Sequence, residues 1–78
     1  ASLEPLAKQI KATEGLMERT RKRIETLDTE LSMPGLYDRD PGKAAKLAKE
    51  RSDLVADLER QEEMWLTLSG RYEEALAS

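Results

Sequence analysis

Residues 31–41 read Leu-Ser-Met-Pro-Gly-Leu-Tyr-Asp-Arg-Asp-Pro, and this stretch divides an otherwise helix-favouring sequence into two parts. Proline disfavours a helical conformation in the preceding residue and glycine relaxes the backbone, so Pro34-Gly35 predicts the end of a first helix. Asp40 is a favourable N-cap, and Pro41 suits the first helical position because an N–H there would have no partner. The expected segments are helix one over about residues 4–32, a turn over 33–40 and helix two over about 41–76.

Mostly apolar residues recur at alternating steps of three and four on both sides of this turn. Before the turn, the positions are Leu3, Leu6, Ile10, Thr13, Met17, Thr20, Ile24, Leu27 and Leu31. After the turn, they are Ala44, Leu47, Arg51, Leu54, Leu58, Gln61, Trp65, Leu68, Tyr72 and Ala75. A period of about 3.5 residues is typical of helices that wrap around each other. Because a short connection makes antiparallel neighbours, the sequence predicts an all-α, two-helix antiparallel coiled-coil hairpin.

Two alignments of these apolar stripes remain open. In the first, Thr13 faces Trp65, so a small side chain meets a large one. In the second, Arg23 faces Glu50, so opposite charges meet. Exposed ion pairs are worth only about 0–1 kcal/mol and a buried large side chain roughly 1.5–3 kcal/mol, which favours the first alignment. The apolar pair Leu36-Tyr37 is expected to fold over the ends of both stripes.

The composition limits what the chain can do. Its 78 residues include no Cys and no His, which excludes disulfides, thiol or imidazole metal sites, and Cys or His catalysis. A two-helix hairpin has no interior pocket in which paired carboxylates could acquire separated pKa values, so we expect no catalytic, metal or cofactor site. No apolar run has the length of a signal peptide core or a membrane span, so we expect a soluble, cytoplasmic protein.

Charge is distributed unevenly along the chain. Residues 19–51 carry nine basic and six acidic side chains, a net charge of +3, whereas the remaining residues have a net charge of −6. A basic distal half could contact phosphates through their charge and shape, without reading bases. The expected nucleic-acid-binding residues are Arg19, Arg21, Lys22, Arg23, Arg39, Lys43, Lys46 and Lys49.

The stretch at residues 31–41, followed by Glu62-Glu63-Met64-Trp65, resembles the C-terminal domain of Uup-like ABC-F ATPases. That turn typically reads Leu-x-Asp-Pro-x-Leu-Tyr, then two residues, then Asp-Pro. Met33 replaces its usual Asp, and Met64 stands where Arg often precedes the Trp.

The resemblance implies that the chain is the C-terminal domain of a larger cytoplasmic ATPase with two ATP-binding cassettes and no membrane segments. ATP would be bound by that parent and not by these residues. Uup-like C-terminal domains are associated with DNA binding, and ABC-F proteins as a class with the ribosome.

Our leading hypothesis is therefore a non-catalytic module that binds DNA, or rRNA on the ribosome, through its phosphates. A first alternative is a structural or protein-interaction hairpin that packs on other domains of the parent chain. A second is the tRNA-contacting arm of an aminoacyl-tRNA synthetase, in which we would not expect this turn sequence.

Overall fold

A computed structural model describes residues 3–78, which form a rod of 59 × 14 × 14 Å. Three helices follow one another: α1 (Glu4–Leu31), α2 (Leu36–Arg39) and α3 (Pro41–Ala77). The long helices α1 and α3 pack against each other, and the short α2 packs against α3. The predicted all-α hairpin is confirmed. The long helices end within one residue of the expected positions.

The connection between the long helices contains a helical turn that the sequence did not predict. Gly35 adopts a left-handed conformation, with a φ of 79°, and α2 begins at the next residue. The Arg39 side chain donates from Nη2 to the carbonyl oxygen of Pro34 at 3.1 Å, which closes the turn. The start of α3 is as predicted: Asp40 Oδ1 accepts a hydrogen bond from the backbone N–H of Lys43 at 3.0 Å, directly before Pro41.

The two apolar stripes form the interface between α1 and α3. Every stripe position of α1 is buried or half-buried, and Ala75 is the one exposed stripe position of α3. Leu27 and Ala44 have no accessible surface at all, and both lie toward the turn. The core is therefore a single line of contact, most tightly closed near the turn.

The threonines in the stripe of α1 are buried without loss of hydrogen bonding. Thr13 donates from its hydroxyl to the carbonyl oxygen of Gln9 at 2.8 Å, and Thr20 to that of Leu16 at 2.9 Å. These bonds to the preceding turn satisfy groups that would otherwise be costly to bury. Gln61 differs, because its buried Oε1 has no hydrogen-bond partner among the described residues.

Contacts between the long helices agree with the first alignment to within one residue. The Thr13 hydroxyl lies 3.9 Å from the sulfur of Met64, and Trp65 Nε1 donates to Glu14 Oε2 at 3.0 Å. The Arg23–Glu50 pair of the second alignment also forms, because both side chains are long enough to bridge the offset. In this alignment, the α1 residues from 19 onward lie beside α3 residues up to about 59.

The free end of the hairpin, residues 33–49, is here called the tip, and the opposite end the base. At the tip, α3 extends beyond α1, and Met33 and Leu36 lie with Leu47 around a cavity of about 200 Å³. Leu36 is half-buried there, as expected, but Tyr37 remains 60% exposed, so its predicted packing over the stripes is wrong. Adjacent helical residues point about 100° apart, so α2 directs only one of the two toward α3.

Candidate nucleic-acid interface

The eight predicted basic residues do not share one face. We define the Glu50 flank as the side of the hairpin on which Arg23 meets Glu50. Arg19 lies on the same face of α1 as Arg23, four residues away, and Lys43 and Lys46 precede Glu50 by seven and four residues. These four basic residues therefore belong to the Glu50 flank.

Arg21 lies on the opposite side, because two residues correspond to more than half a helical turn. We define the Asp28 flank as the side carrying Glu14, Arg21, Asp28, Arg51 and Glu62. Arg21 Nη2 lies 4.0 Å from Glu62 Oε2 there, so its charge is directed toward an acidic partner.

Several of the predicted residues are occupied by intramolecular ion pairs. Lys22 Nζ lies 3.5 Å from Glu18 on the preceding turn, and Lys49 Nζ lies 3.0 Å from Asp53 on the next. Arg23 makes two hydrogen bonds to Glu50, at 2.7 and 3.0 Å. Within residues 3–78, the side chains of Arg19, Lys43 and Lys46 make no ion pair, so these three are immediately available to an anion.

The charge separation is smaller in space than along the sequence. Because α1 from residue 19 onward lies beside α3 up to about residue 59, the acidic residues Asp53, Asp57 and Glu59 belong to the distal half. Residues 19–59 carry nine basic and nine acidic side chains, a net charge of zero. The prediction that the distal half carries a net positive charge is therefore wrong, because α3 contributes more residues to that half than α1 does.

Positive charge is instead concentrated at the tip. Residues 33–49 carry four basic and two acidic side chains, a net charge of +2. The basic members form what we call the tip cluster: Arg39, Lys43, Lys46 and Lys49. All four are exposed, and Tyr37 is exposed beside them. The tip cluster is the part of the predicted site that the structure brings together.

Among the described residues, three ion pairs join α1 to α3, and two of them, Arg23–Glu50 and Arg51–Asp28, shift the pKa values of their members. The hydrogen bond from Arg23 lowers the pKa of Glu50 and raises that of Arg23, and their opposite charges act in the same direction. Asp28 accepts hydrogen bonds from Arg51, and these lower the pKa of Asp28 in the same way. Arg23 is therefore engaged with Glu50 in an exposed pair between the helices.

Sequence reasoning missed a groove on the Asp28 flank near the base. Its first cavity, of about 600 Å³, is lined by residues including Met17, Trp65 and Leu66. A second cavity of about 430 Å³ adjoins it and shares Glu14 and Trp65. The repeat predicts Trp65 only as a stripe residue, yet it is half-buried and its indole N–H donates to Glu14. The signal available in the sequence was the apolar Leu66 beside a stripe position.

The described residues contain no cluster of acidic side chains with the geometry of a metal site. None of the helices in residues 3–78 is long and apolar enough to cross a membrane.

Comparison with known proteins identifies a family. The family model described as the ABC transporter C-terminal domain matches residues 5–70. No curated protein and no solved structure matches the chain. The match covers α1 from Pro5 onward, the turn, and α3 as far as Gly70, which is most of the sequence. The chain therefore belongs to the ABC transporter C-terminal domain family.

Proposed function

We propose that this domain is a non-catalytic module of a cytoplasmic ABC-F ATPase of the Uup-like type, and that it binds the phosphate backbone of DNA or rRNA through its tip. The single observation that carries the proposal is the tip cluster, where Lys43 and Lys46 stand exposed at the free end of a long rod and form no ion pair with any of residues 3–78.

The chemistry of the tip cluster suits phosphate better than bases. Lys43 and Lys46 are flexible point charges, and phosphates that they neutralise release condensed counterions. The Lys49–Asp53 pair is exposed, and such pairs are worth only about 0–1 kcal/mol, so a phosphate can replace Asp53. Arg39 retains guanidinium N–H groups beyond the one bonded to Pro34.

The middle of the rod contributes less to this proposal than the sequence suggested. Arg21 and Arg23 are each directed toward a glutamate of α3, and a phosphate would have to displace a partner that also links the helices. Arg19 has no such partner in the described part of the chain and can extend the contact along the Glu50 flank. Binding should thus depend most on the tip cluster and less on residues 19–23.

The test is a titration of the 78-residue chain with duplex DNA, branched DNA and an rRNA fragment at several salt concentrations. The test variant changes Lys43, Lys46 and Lys49 together to Gln. The matched control changes Lys8, Lys11 and Arg71 together to Gln, which removes the same charge from exposed positions toward the base.

The unsubstituted chain should bind at least one of these nucleic acids with an affinity that falls steeply as the salt concentration rises. The tip variant should lose most of that binding. For duplex DNA, the plot of log affinity against log salt should become less steep, with the magnitude of its slope smaller by about 2 to 3. The base control should change both quantities little. Equal losses in the two variants would indicate a general charge effect, and unchanged binding by the tip variant would overturn the proposal.

The groove near the base favours a second candidate function, a protein-interaction hairpin that packs on other domains of its parent or on another protein. If the unsubstituted 78-residue chain binds no nucleic acid at low salt, this candidate is supported over the first. The family match leaves the tRNA-synthetase arm without support.

A further inference from the structure

The groove on the Asp28 flank combines an apolar floor with an acidic rim. We propose that it docks a basic amphipathic helix of a protein partner. This third helix would lie in the groove, alongside both α1 and α3. This inference uses surfaces distant from the tip cluster, so it does not depend on nucleic-acid binding.

The floor presents apolar surface that the hairpin itself leaves uncovered. Met17 is buried at the bottom of the first cavity, and the half-buried Trp65 forms the boundary between the two cavities. Leu66 is 62% exposed at the edge of the groove, within α3. An aromatic and a leucine beside a buried methionine make a surface that another apolar side chain can fill.

The rim selects the charge of the occupant. Glu14, Glu18 and Glu62 line the first cavity, and Arg21 is its only basic residue. Arg21 is directed toward Glu62, and Lys22, outside the cavity, pairs with Glu18. Glu14 accepts the indole N–H of Trp65 and has no cationic partner among residues 3–78. The second cavity adds Glu73 against Lys11. The rim is thus net negative over both cavities, which favours lysines or arginines beside the apolar face of a partner.

The length of the groove suits a helix. It extends along α1 from Ala7 to Arg21, which is fifteen residues and a length of about 21 Å at a rise of 1.5 Å per step. A helix of about four turns has this length. Docking along two antiparallel helices would complete a three-helix bundle, in which each helix contacts both of the others.

Other occupants fit the groove less well. A second copy placed by a two-fold axis would bring Glu14, Glu18 and Glu62 against the same residues of its partner, and like charges repel. An anionic lipid surface would be repelled by the same rim.

Trp65 supplies the readout, because it is the only tryptophan of the chain. The probe is a tryptophan-free peptide of about sixteen residues, with leucines on one helical face, lysines beside them and alanines elsewhere. One control peptide has the same composition with the leucines scrambled, and another has glutamate in place of lysine. The expected result is a saturable blue shift of Trp65 emission with the first peptide alone.

Two pairs of variants separate the floor from the rim. Changing the exposed Leu66 to Ser should weaken binding of the lysine peptide at least five-fold, whereas changing Leu76 to Ser, an equally exposed leucine outside the groove, should leave it unchanged. Changing Glu14, Glu18 and Glu62 together to Gln should weaken it about ten-fold, since each exposed charge contact contributes modestly. Changing Asp38 to Asn with Glu63 and Glu74 to Gln, the same change in charge elsewhere, should not.

Equal shifts with all three peptides, unchanged binding by the Leu66 or glutamate variants, or no shift at all would overturn the proposal. A concentration-dependent shift of Trp65 in the chain alone, with dimers in sedimentation, would replace it with self-association. The tip variant at Lys43, Lys46 and Lys49 should bind the lysine peptide like the parent. This result distinguishes a failure of the docking proposal from a failure of the proposed nucleic-acid binding.

Discussion

The tip and the base of this hairpin share the same apolar repeat, but the interface between the two helices is more completely buried near the tip than near the base. Near the tip, Leu27 and Ala44 are completely buried, and α2 covers the part of α3 that extends past α1. Toward the base, Trp65 and Tyr72 occupy stripe positions yet are only half-buried, and open cavities lie beside them. A small residue such as alanine lets two helices approach closely, whereas a large aromatic ring holds its surroundings open.

The largest expected difference between the two regions concerns leucines. Leu27→Ala should lower the free energy of unfolding by about 2–5 kcal/mol, because it removes a completely buried side chain and leaves a cavity. Leu66→Ala should change it by less than about 0.5 kcal/mol, because Leu66 is mostly exposed. Urea unfolding followed by circular dichroism measures both. Similar losses in the two variants would mean that the base is packed as tightly as the tip.

A smaller effect, with opposite signs at the two ends, is expected for glycines. Gly35→Ala should destabilise the chain by about 1–2 kcal/mol, because its φ of 79° is unfavourable for a residue with a Cβ. Gly70→Ala should stabilise it by roughly 0.5–1 kcal/mol, because Gly70 lies within α3 and a Cβ there would meet nothing within 4 Å. The same unfolding experiment measures both, and a stabilising Gly35→Ala would argue against the left-handed turn.

The smallest effect is a dependence of stability on acid. The pKa values of Asp28 and Glu50 are lowered in the folded state by Arg51 and Arg23, so the unfolded chain binds more protons once the pH falls below about 4. Their contribution is present above that pH and is lost as the pH falls through the lowered values. Thermal unfolding at a series of pH values should show this loss.

Asp28→Asn should make the loss in acid shallower, because Asn cannot titrate. Glu63→Gln is the control, since Glu63 is exposed and makes no ion pair in the part of the chain that the structure describes. If the two variants lose stability in acid equally, the pair between Asp28 and Arg51 does not link the helices in solution.

The fold was largely predictable because its determinants are local. The repeat of apolar residues predicts the interface, and Asp40-Pro41 predicts the start of α3, because the cap involves residues only three apart. The turn between them was not predictable in detail. Its short helix depends on the left-handed Gly35 and on the bond from Arg39 to Pro34, which neither repeat nor composition indicates.

The candidate interface was predictable only as a set of residues. Which cations are available depends on how the helices are aligned and rotated, and a shift of one position would exchange their partners. Arg23 and Lys43 look alike in the sequence, yet one is held by Glu50 and the other is open to solvent. Likewise, the net charge of residues 19–51 does not include Asp53, Asp57 and Glu59, which the longer α3 places beside α1.

The shape of the molecule also makes it a lever. The beginning of α1 and the end of α3 lie together at the base, and the tip stands at the far end of a rod 59 Å long. A rigid rotation of about 10° at the base would therefore sweep the tip through about 10 Å, close to the width of a DNA groove. The packing of α1 against α3 along their apolar stripes connects the base to the tip over this distance.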